Sequence, residues 1–317
     1  MMMETRQIGN TGLKASVVGL GCNNFGRKID LEPARTVLNA CLDVGINFFD
    51  TADSYGNGKS EEFIGEVLGP RRKEIVLATK FGAVAWTNRT GERWGGHEYI
   101  TQCIDASLKR LRTDYVDLYQ LHVPDPNTPI EDTLGALNDL VKQGKVRAIG
   151  HSNLSGPQID ESVAQAKAKR ITPFATAQNE WSFLNRKAEQ DVILACDRHH
   201  LGQLPYFPLA AGLLTGKYRR GEALIPGSRL DKLDYFKGWA NDDNFNKIER
   251  LEAFAKSRGH TLLELAMSWL ASQSCVTSVI AGATTPEQVR TNASAATWRL
   301  SAVELAEVNA LIPIAAV

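Results

Sequence analysis

The chain has 317 residues, 43% of them hydrophobic and 23% charged, so it can bury a sizeable core and is not a disordered chain. Lys plus Arg and Asp plus Glu both total 36, and the resulting zero net charge argues against a dedicated nucleic-acid binder, though not against a local basic patch around a phosphate-bearing cofactor. No apolar run approaches the ~18 residues of a membrane span, and Met1 to Gln7 lacks the hydrophobic region of a signal peptide, so a cytoplasmic protein without membrane attachment is expected.

In chain order, Gln7 to Lys14 reads as a hairpin, within an N-terminal segment 1–16 able to plug the floor of a barrel. Short, mostly apolar runs then recur at 17–20, 46–50, 75–79, 116–121, 146–150, 174–178, 202–207 and 276–280. They lack clean alternation, which suits strands of a parallel sheet covered on both faces. Between them, 32–44, 60–68, 98–111, 129–142 and 286–298 read as amphipathic helices. Pro33 and Pro286 fall in first turns, where a missing N–H costs nothing. Gly45, Gly69 and Gly144 fall just past helix ends, where a left-handed residue is wanted. The adjacent His199 and His200 sit at another helix end and point apart, which argues against a metal site there.

Eight strand–helix units predict a (β/α)8 TIM barrel occupying 1–317 as one domain, with a long, partly helical loop over the barrel mouth at 213–246. A doubly wound Rossmann sheet is the main competitor, but Asn24 stands where its third fingerprint glycine belongs after Gly19 and Gly21. A phosphate-binding isomerase barrel finds only a feeble phosphate loop in Gly282-Ala283-Thr284. The five cysteines, Cys22, Cys41, Cys103, Cys196 and Cys275, are scattered and odd in number, and are expected to be reduced thiols that bind no metal.

In such a barrel chemistry gathers at the C-terminal strand ends. Strand two ends at Asp50, strand three at Lys80 and strand four at His122, and Tyr55 follows Asp50 in the next loop. Singly, each has a structural reading: a helix cap, a half-exposed aromatic, a lysine paired with a carboxylate, a hydrogen-bonded histidine. Jointly they deliver one proton-active group per successive strand end to one rim.

These residues resemble the aldo-keto reductase family. Asn47-Phe48-Phe49-Asp50-Thr51-Ala52-Asp53-Ser54-Tyr55-Gly56 is similar to its signature around the catalytic acid and tyrosine. Ala78-Thr79-Lys80-Phe81-Gly82 resembles its lysine strand, and Asp117-Leu118-Tyr119-Gln120-Leu121-His122 its histidine strand. Gly150-His151-Ser152-Asn153, Gln178-Asn179-Glu180 and the segment Tyr206 to Tyr218 resemble its nicotinamide- and pyrophosphate-binding stretches. The resemblance runs through the whole chain in order and includes bacterial-type members and potassium-channel β subunits.

It implies reversible reduction of aldehydes or ketones by NAD(P)H, without a metal. Hydride addition leaves negative charge on the carbonyl oxygen, which needs a proton donor. Tyr55 is expected to be that acid, Lys80 to depress its pKa, Asp50 to hold Lys80, and His122 to bind the same oxygen. By matched position, Ser152, Asn153 and Gln178 would hold the carboxamide, and Tyr206 would stack on the nicotinamide. The backbone through Phe207, Pro208, Leu209, Gly212 and Lys217 would lie along the pyrophosphate. Cys22, Asn23, Asp50, Gly282, Thr284, Gln288 and Asn292 complete the implied cofactor surface. Gly282, Thr284 and Gln288 stand where a lysine or arginine often reads the 2′-phosphate. What remains there is small residues, hydroxyls and a helix N-terminus, so NADP(H) is expected to be preferred over NAD(H) only shallowly, by on the order of tenfold or less. Trp86 is expected to wall the substrate beside Tyr55 and His122, or else to anchor its loop against Trp94. The expected partner is a small carbonyl substrate. The alternative from another class is a cofactor-binding regulatory or redox-sensing protein of the same fold with little turnover.

Overall fold

Side chains on the strands of the main parallel sheet alternate between two surroundings, and apart from Arg147 and Gly282 both are buried. The computed structural model describes residues 3–83 and 93–314. Strands β1 (Thr5–Gln7) and β2 (Lys14–Ser16) form an antiparallel hairpin. The main sheet comprises β3 (Val18–Gly21), β4 (Phe48–Asp50), β5 (Val76–Phe81), β6 (Val116–Leu121), β7 (Val146–Ser152), β8 (Thr176–Gln178), β9 (Gly202–Gln203) and β10 (Val279–Gly282). Its order is β10-β3-β4-β5-β6-β7-β8-β9, every pair parallel. Around β9 the ends meet: Gln203 N–H donates to the Cys275 carbonyl (2.7 Å), Thr277 N–H to that of Gln203 (2.9 Å) and Ile280 N–H to that of Pro205 (3.0 Å). This is the (β/α)8 barrel, with the eight expected strands in order. β9 and β10 differ in extent from the runs at 202–207 and 276–280. Pro205 has no N–H for a ladder, and the chain after Gln203 turns to build the mouth.

The helices of the units are α1 (Leu31–Asp43), α2 (Lys59–Leu68), α3 (His97–Leu111), α4 (Ile130–Lys142), α5 (Gly156–Lys169), α6 (Val192–His199), α9 (Leu262–Ala271) and α10 (Pro286–Ala295). Gly45, Gly69 and Gly144 take positive φ past their helices. In the long segment after β9, α7 (Arg229–Lys232) and α8 (Asp242–Ser257) form, and α11 (Ala302–Leu311) ends the described chain. Among the described residues no helix is long and apolar enough to cross a membrane. All five cysteines are free.

Two apolar cores result. Outward-facing Phe49, Leu77, Phe81, Tyr119, Leu121 and Ile149 pack against the helices. Inward-facing Phe48, Val76, Ala78, Leu118, Ala148 and Ile280 fill the barrel, and Ile8, Leu13 and Ala15 of the hairpin close it from below. The same inward parity, continued up each strand, aims Asp50, Lys80, Gln120, Ser152 and Gln178 into the upper barrel. Register brings Lys80 beside Gln120, Gln120 beside Gly150, and Ser152 beside Gln178. Gly150 must lack a side chain: a Cβ there would lie 2.1 Å from Thr176 Oγ1 and 3.2 Å from Gln120 Cγ.

One outward position is anomalous. His151 is fully buried against Phe174, with neither ring nitrogen hydrogen-bonded among the described residues. Burial lowers its pKa from 6.5 to about 3. The unfolded chain therefore takes up this proton at a higher pH than the folded one, and stability present above about pH 6.5 is lost on acidification. From there to about pH 5, His151→Val is expected to spare the protein on the order of 2 kcal/mol of destabilisation suffered by the wild type. Urea unfolding at the two pH values measures it.

Candidate active site

Lys80 carries no exposed surface, and such an ammonium must be paired. Its Nζ donates to Asp50 Oδ2 (2.7 Å), the Thr51 carbonyl (2.9 Å) and Tyr55 Oη (3.4 Å). The other Asp50 oxygen accepts from Gln178 Nε2 (3.0 Å) and Gln120 Nε2 (3.3 Å). Burial disfavours the lysine charge, but Asp50 and Tyr55 outweigh it and hold the pKa above the ordinary lysine value. All three ammonium protons are engaged. Tyr55 therefore receives at its hydroxyl, and its own proton points away from Lys80.

The turn after Asp50 presents the tyrosine. Thr51 N–H donates to the Ala78 carbonyl (2.9 Å), Asp53 N–H to that of Lys80 (3.2 Å) and Tyr55 N–H to that of Ala52 (3.2 Å). The half-buried Tyr55 ring meets the His122 ring edge-on, centroids 5.8 Å apart. Burial, helped by the Lys80 charge, holds His122 well below 6.5, so its imidazole is neutral at neutral pH. Lys80 lowers the Tyr55 pKa, as expected, but does not set it alone. Burial raises the phenol most, Lys80 pulls it down and Asp50 pushes it up again, and the net value lies above 10.0. The phenol is thus protonated at neutral pH.

Ser152, Asn153 and Tyr206 are joined. Asn153 Nδ2 donates to the His122 carbonyl (2.9 Å) and Ser152 Oγ (3.0 Å), and Tyr206 Oη donates to Asn153 Oδ1 (2.8 Å). Ser152 Oγ donates to the Gln178 carbonyl (2.8 Å). Gln178 gives its amide N–H to Asp50, leaving its amide oxygen as an acceptor. Pro208 is buried, and Phe207 and Leu209 are partly so. The segment is strained, with positive φ at Phe207 (52°), Ala210 (45°), Ala211 (57°) and Gly212 (99°). Such conformations cost about 1–3 kcal/mol each for non-glycine residues and gather at ligand clamps. Gly212 owes its glycine to the positive φ; a Cβ there would also approach the flexible end of the Lys217 side chain to 3.0 Å.

Gln288 is turned inward on its own loop, its Oε1 accepting from Thr284 N–H (2.8 Å) and Thr284 Oγ1 (3.1 Å). Asn292 is buried on α10. The Cys22 thiol is buried, its pKa pushed up mainly by burial, and its carbonyl accepts from Ser60 Oγ (3.0 Å). Trp86 lies outside the described residues; Trp94 is buried and donates Nε1–H to the Val123 carbonyl (3.0 Å).

Gln120, Asp53, Arg229 and the neighbouring Arg27 and Lys28 were not singled out from sequence. Gln120 lies two residues before His122, so strand parity alone places it in the barrel. Asp53 lies inside the signature itself. Arg229, in the polar loop, carries no local signal. Its Nη2 donates to Asn23 Oδ1 (2.8 Å) and Asn24 Oδ1 (3.2 Å), and it lies 3.4 Å from where a Gly282 Cβ would stand. Burial and Arg27 lower its pKa; burial and these cationic neighbours also lower those of Lys28 and Lys217. Among the described residues, none of Arg27, Lys28, Lys217 and Arg229 pairs with a carboxylate. Mutually repelling cations around a glycine cradle and a left-handed turn fit a ligand bearing several phosphate oxygens.

The aldo/keto reductase family model matches residues 17–313. A probable voltage-gated potassium channel subunit beta of Arabidopsis thaliana is 37% identical over 303 residues, covering 92% of this chain and 91% of that protein. The aldo-keto reductase YhdN of Bacillus subtilis (strain 168) is 33% identical over 318 residues, covering 98% and 94%. The L-glyceraldehyde 3-phosphate reductase of Escherichia coli (strain K12) is 34% identical over 322 residues, covering 97% and 92%. A match across nearly the whole barrel, with the buried lysine, acid, tyrosine and histidine at its upper end, means that the chain belongs to the aldo/keto reductase family, oxidoreductases that generally use NAD(P)H and act on small carbonyl substrates.

Proposed function

We propose that this protein reduces an aldehyde or ketone to the alcohol, reversibly, with Tyr55 as general acid. The observation that carries the reading is the saturated Lys80 ammonium, which leaves the Tyr55 proton directed away from it. NAD(P)H, when bound, supplies the hydride. Tyr55 transfers its proton to the carbonyl oxygen as negative charge grows there, and Lys80 stabilises the phenolate left behind. Asp50, held by Gln120 and Gln178, keeps Lys80 charged and fixed. Neutral His122 donates an N–H to the same oxygen and orients it, but is not the proton source near neutrality. In the oxidative direction the phenolate must form first, at a cost that Lys80 reduces.

Arg27, Lys28, Lys217 and Arg229 are the residues that would hold the dinucleotide phosphates, with the 207–217 backbone alongside. Because the 282–288 loop has no cation, the preference for NADP(H) over NAD(H) is shallow. A second reading, a cofactor-binding partner protein with little turnover, draws on the channel-subunit name of the Arabidopsis relative. Loss of 340 nm absorbance with a panel of aldehydes separates the two.

Tyr55→Phe is expected to lower kcat/KM for carbonyl reduction by about 10²–10⁴ while NADPH affinity stays within a few-fold, and a variant with half the wild-type rate rules Tyr55 out as the acid. Lys80→Met should move the rising limb of the alcohol-oxidation pH profile up by about 1–3 pH units, because the charge that favours phenolate is gone. Arg229→Ala should weaken both NADPH and NADH, by about ten- to a hundredfold in Kd, the worth of a charge-assisted hydrogen bond. In the wild type NADPH should lead NADH by on the order of tenfold or less in kcat/KM. Fluorescence titration and steady-state assays with one aldehyde read both.

A further inference from the structure

On the helix side of β5 and β6 lies a second set of ionisable groups that the proposed chemistry does not use. Glu61 of α2 is fully buried, its Oε1 accepting from Thr79 Oγ1 (2.5 Å) and its Oε2 from Arg110 Nε of α3 (2.7 Å). Asp53, in the turn between Asp50 and Tyr55, is close enough to be repelled by the charge of Glu61 and attracted by those of Arg110 and Lys80. Cys103 of α3 and Tyr119 of β6 feel its charge, with Tyr99 beside them. Charges in this region pair off as Lys80 with Asp50 and Arg110 with Glu61. Asp53 is left over: among the described residues no cation pairs with it, and its Oδ1 is buried without a hydrogen-bond partner. Burial first, and then repulsion by Glu61, raise its pKa from 3.8 to about 7.

Asp53 also occupies a mechanical position. Its N–H and that of Thr51 fasten the turn to the carbonyls of Lys80 and Ala78, and Tyr55 follows two residues later. The Lys80 contact to Tyr55 is the longest of the three that Lys80 makes.

We propose that Asp53 is a proton-operated positioning residue: with its carboxyl neutral the turn stays seated on β5 and Tyr55 stays within reach of Lys80, and with its carboxyl charged the turn is driven toward solvent and that contact lengthens. The driving force is the second negative charge beside Glu61, which the single Arg110 cannot balance. The effect on catalysis rests on the reading of Tyr55 as the acid; the movement of the turn does not.

Two measurements test it. The first is kcat for NADPH-dependent reduction of one aldehyde from about pH 6 to about pH 8.5, in wild type and Asp53→Asn. Wild type should lose about threefold or more with a midpoint near 7, and Asp53→Asn should vary by less than about 1.5-fold, since displacing a positioned group by a fraction of an ångström has effects of this size or larger. The second is an NMR titration of the cofactor-free protein, following the Asp53 carboxyl carbon, identified by its loss in Asp53→Asn, and the Tyr55 ring signals. Both should move together near pH 7 in wild type, and the ring should stay still in Asp53→Asn. A carboxyl titrating near its ordinary 3.8, a Tyr55 ring indifferent to it, or a kinetic step that persists in Asp53→Asn overturns the proposal. An active Tyr55→Phe overturns the reading of the acid instead, and leaves the NMR result to decide on the movement of the turn.

Discussion

An ammonium with no accessible surface gives up several kcal/mol of hydration, and Lys80 recovers it through hydrogen bonds to Asp50, the Thr51 carbonyl and Tyr55. Each partner is thereby fixed. Asp50 must stay charged, so it takes the Gln120 and Gln178 amides and ties β6 and β8 to β4. Thr51 and Tyr55 belong to one turn, so the lysine also anchors the loop that presents the phenol. Removing any member would leave a buried charge or a buried donor uncompensated. The network therefore ties the lysine, its acid and the turn to one another before any ligand arrives.

The barrel mouth works by the opposite means. Inside, Lys80 pairs with Asp50 and Arg110 with Glu61; at the mouth, Arg27, Lys28, Lys217 and Arg229 have no counter-charge among the described residues. Like charges at close quarters destabilise a protein, and left-handed Phe207, Ala210 and Ala211 add conformational strain. A fold tolerates such costs where a ligand relieves them.

The outer faces of the same strands show how closely reaction and scaffold are interleaved. Thr79 and Tyr119 alternate with Lys80 and Gln120, so one residue of β5 looks into the barrel while its neighbour meets Glu61. His151 sits on the outward face between Gly150 and Ser152, buried without a polar partner and kept neutral by that burial. Asp53 bridges the two sides, joined through its backbone to Lys80 and through its charge to Glu61 and Arg110.

Much of this was legible in the chain itself. Strand alternation, glycines past helix ends and one ionisable residue per successive strand end are local features, and they determined the barrel, its eight strands in order and the meeting of Asp50, Tyr55, Lys80 and His122. Parity would have added Gln120. What no local pattern carries is the balance of opposing long-range terms. That Tyr55 ends above its ordinary pKa despite Lys80 depends on how much protein surrounds the ring. Arg229 reaches Asn23 and Asn24 across some two hundred residues, and Gln288 turns onto Thr284. Asp53 became the unpaired acid only once Arg110 had been given to Glu61. Desolvation and charge pairing are sums over everything nearby, and only the tertiary structure decides what is nearby.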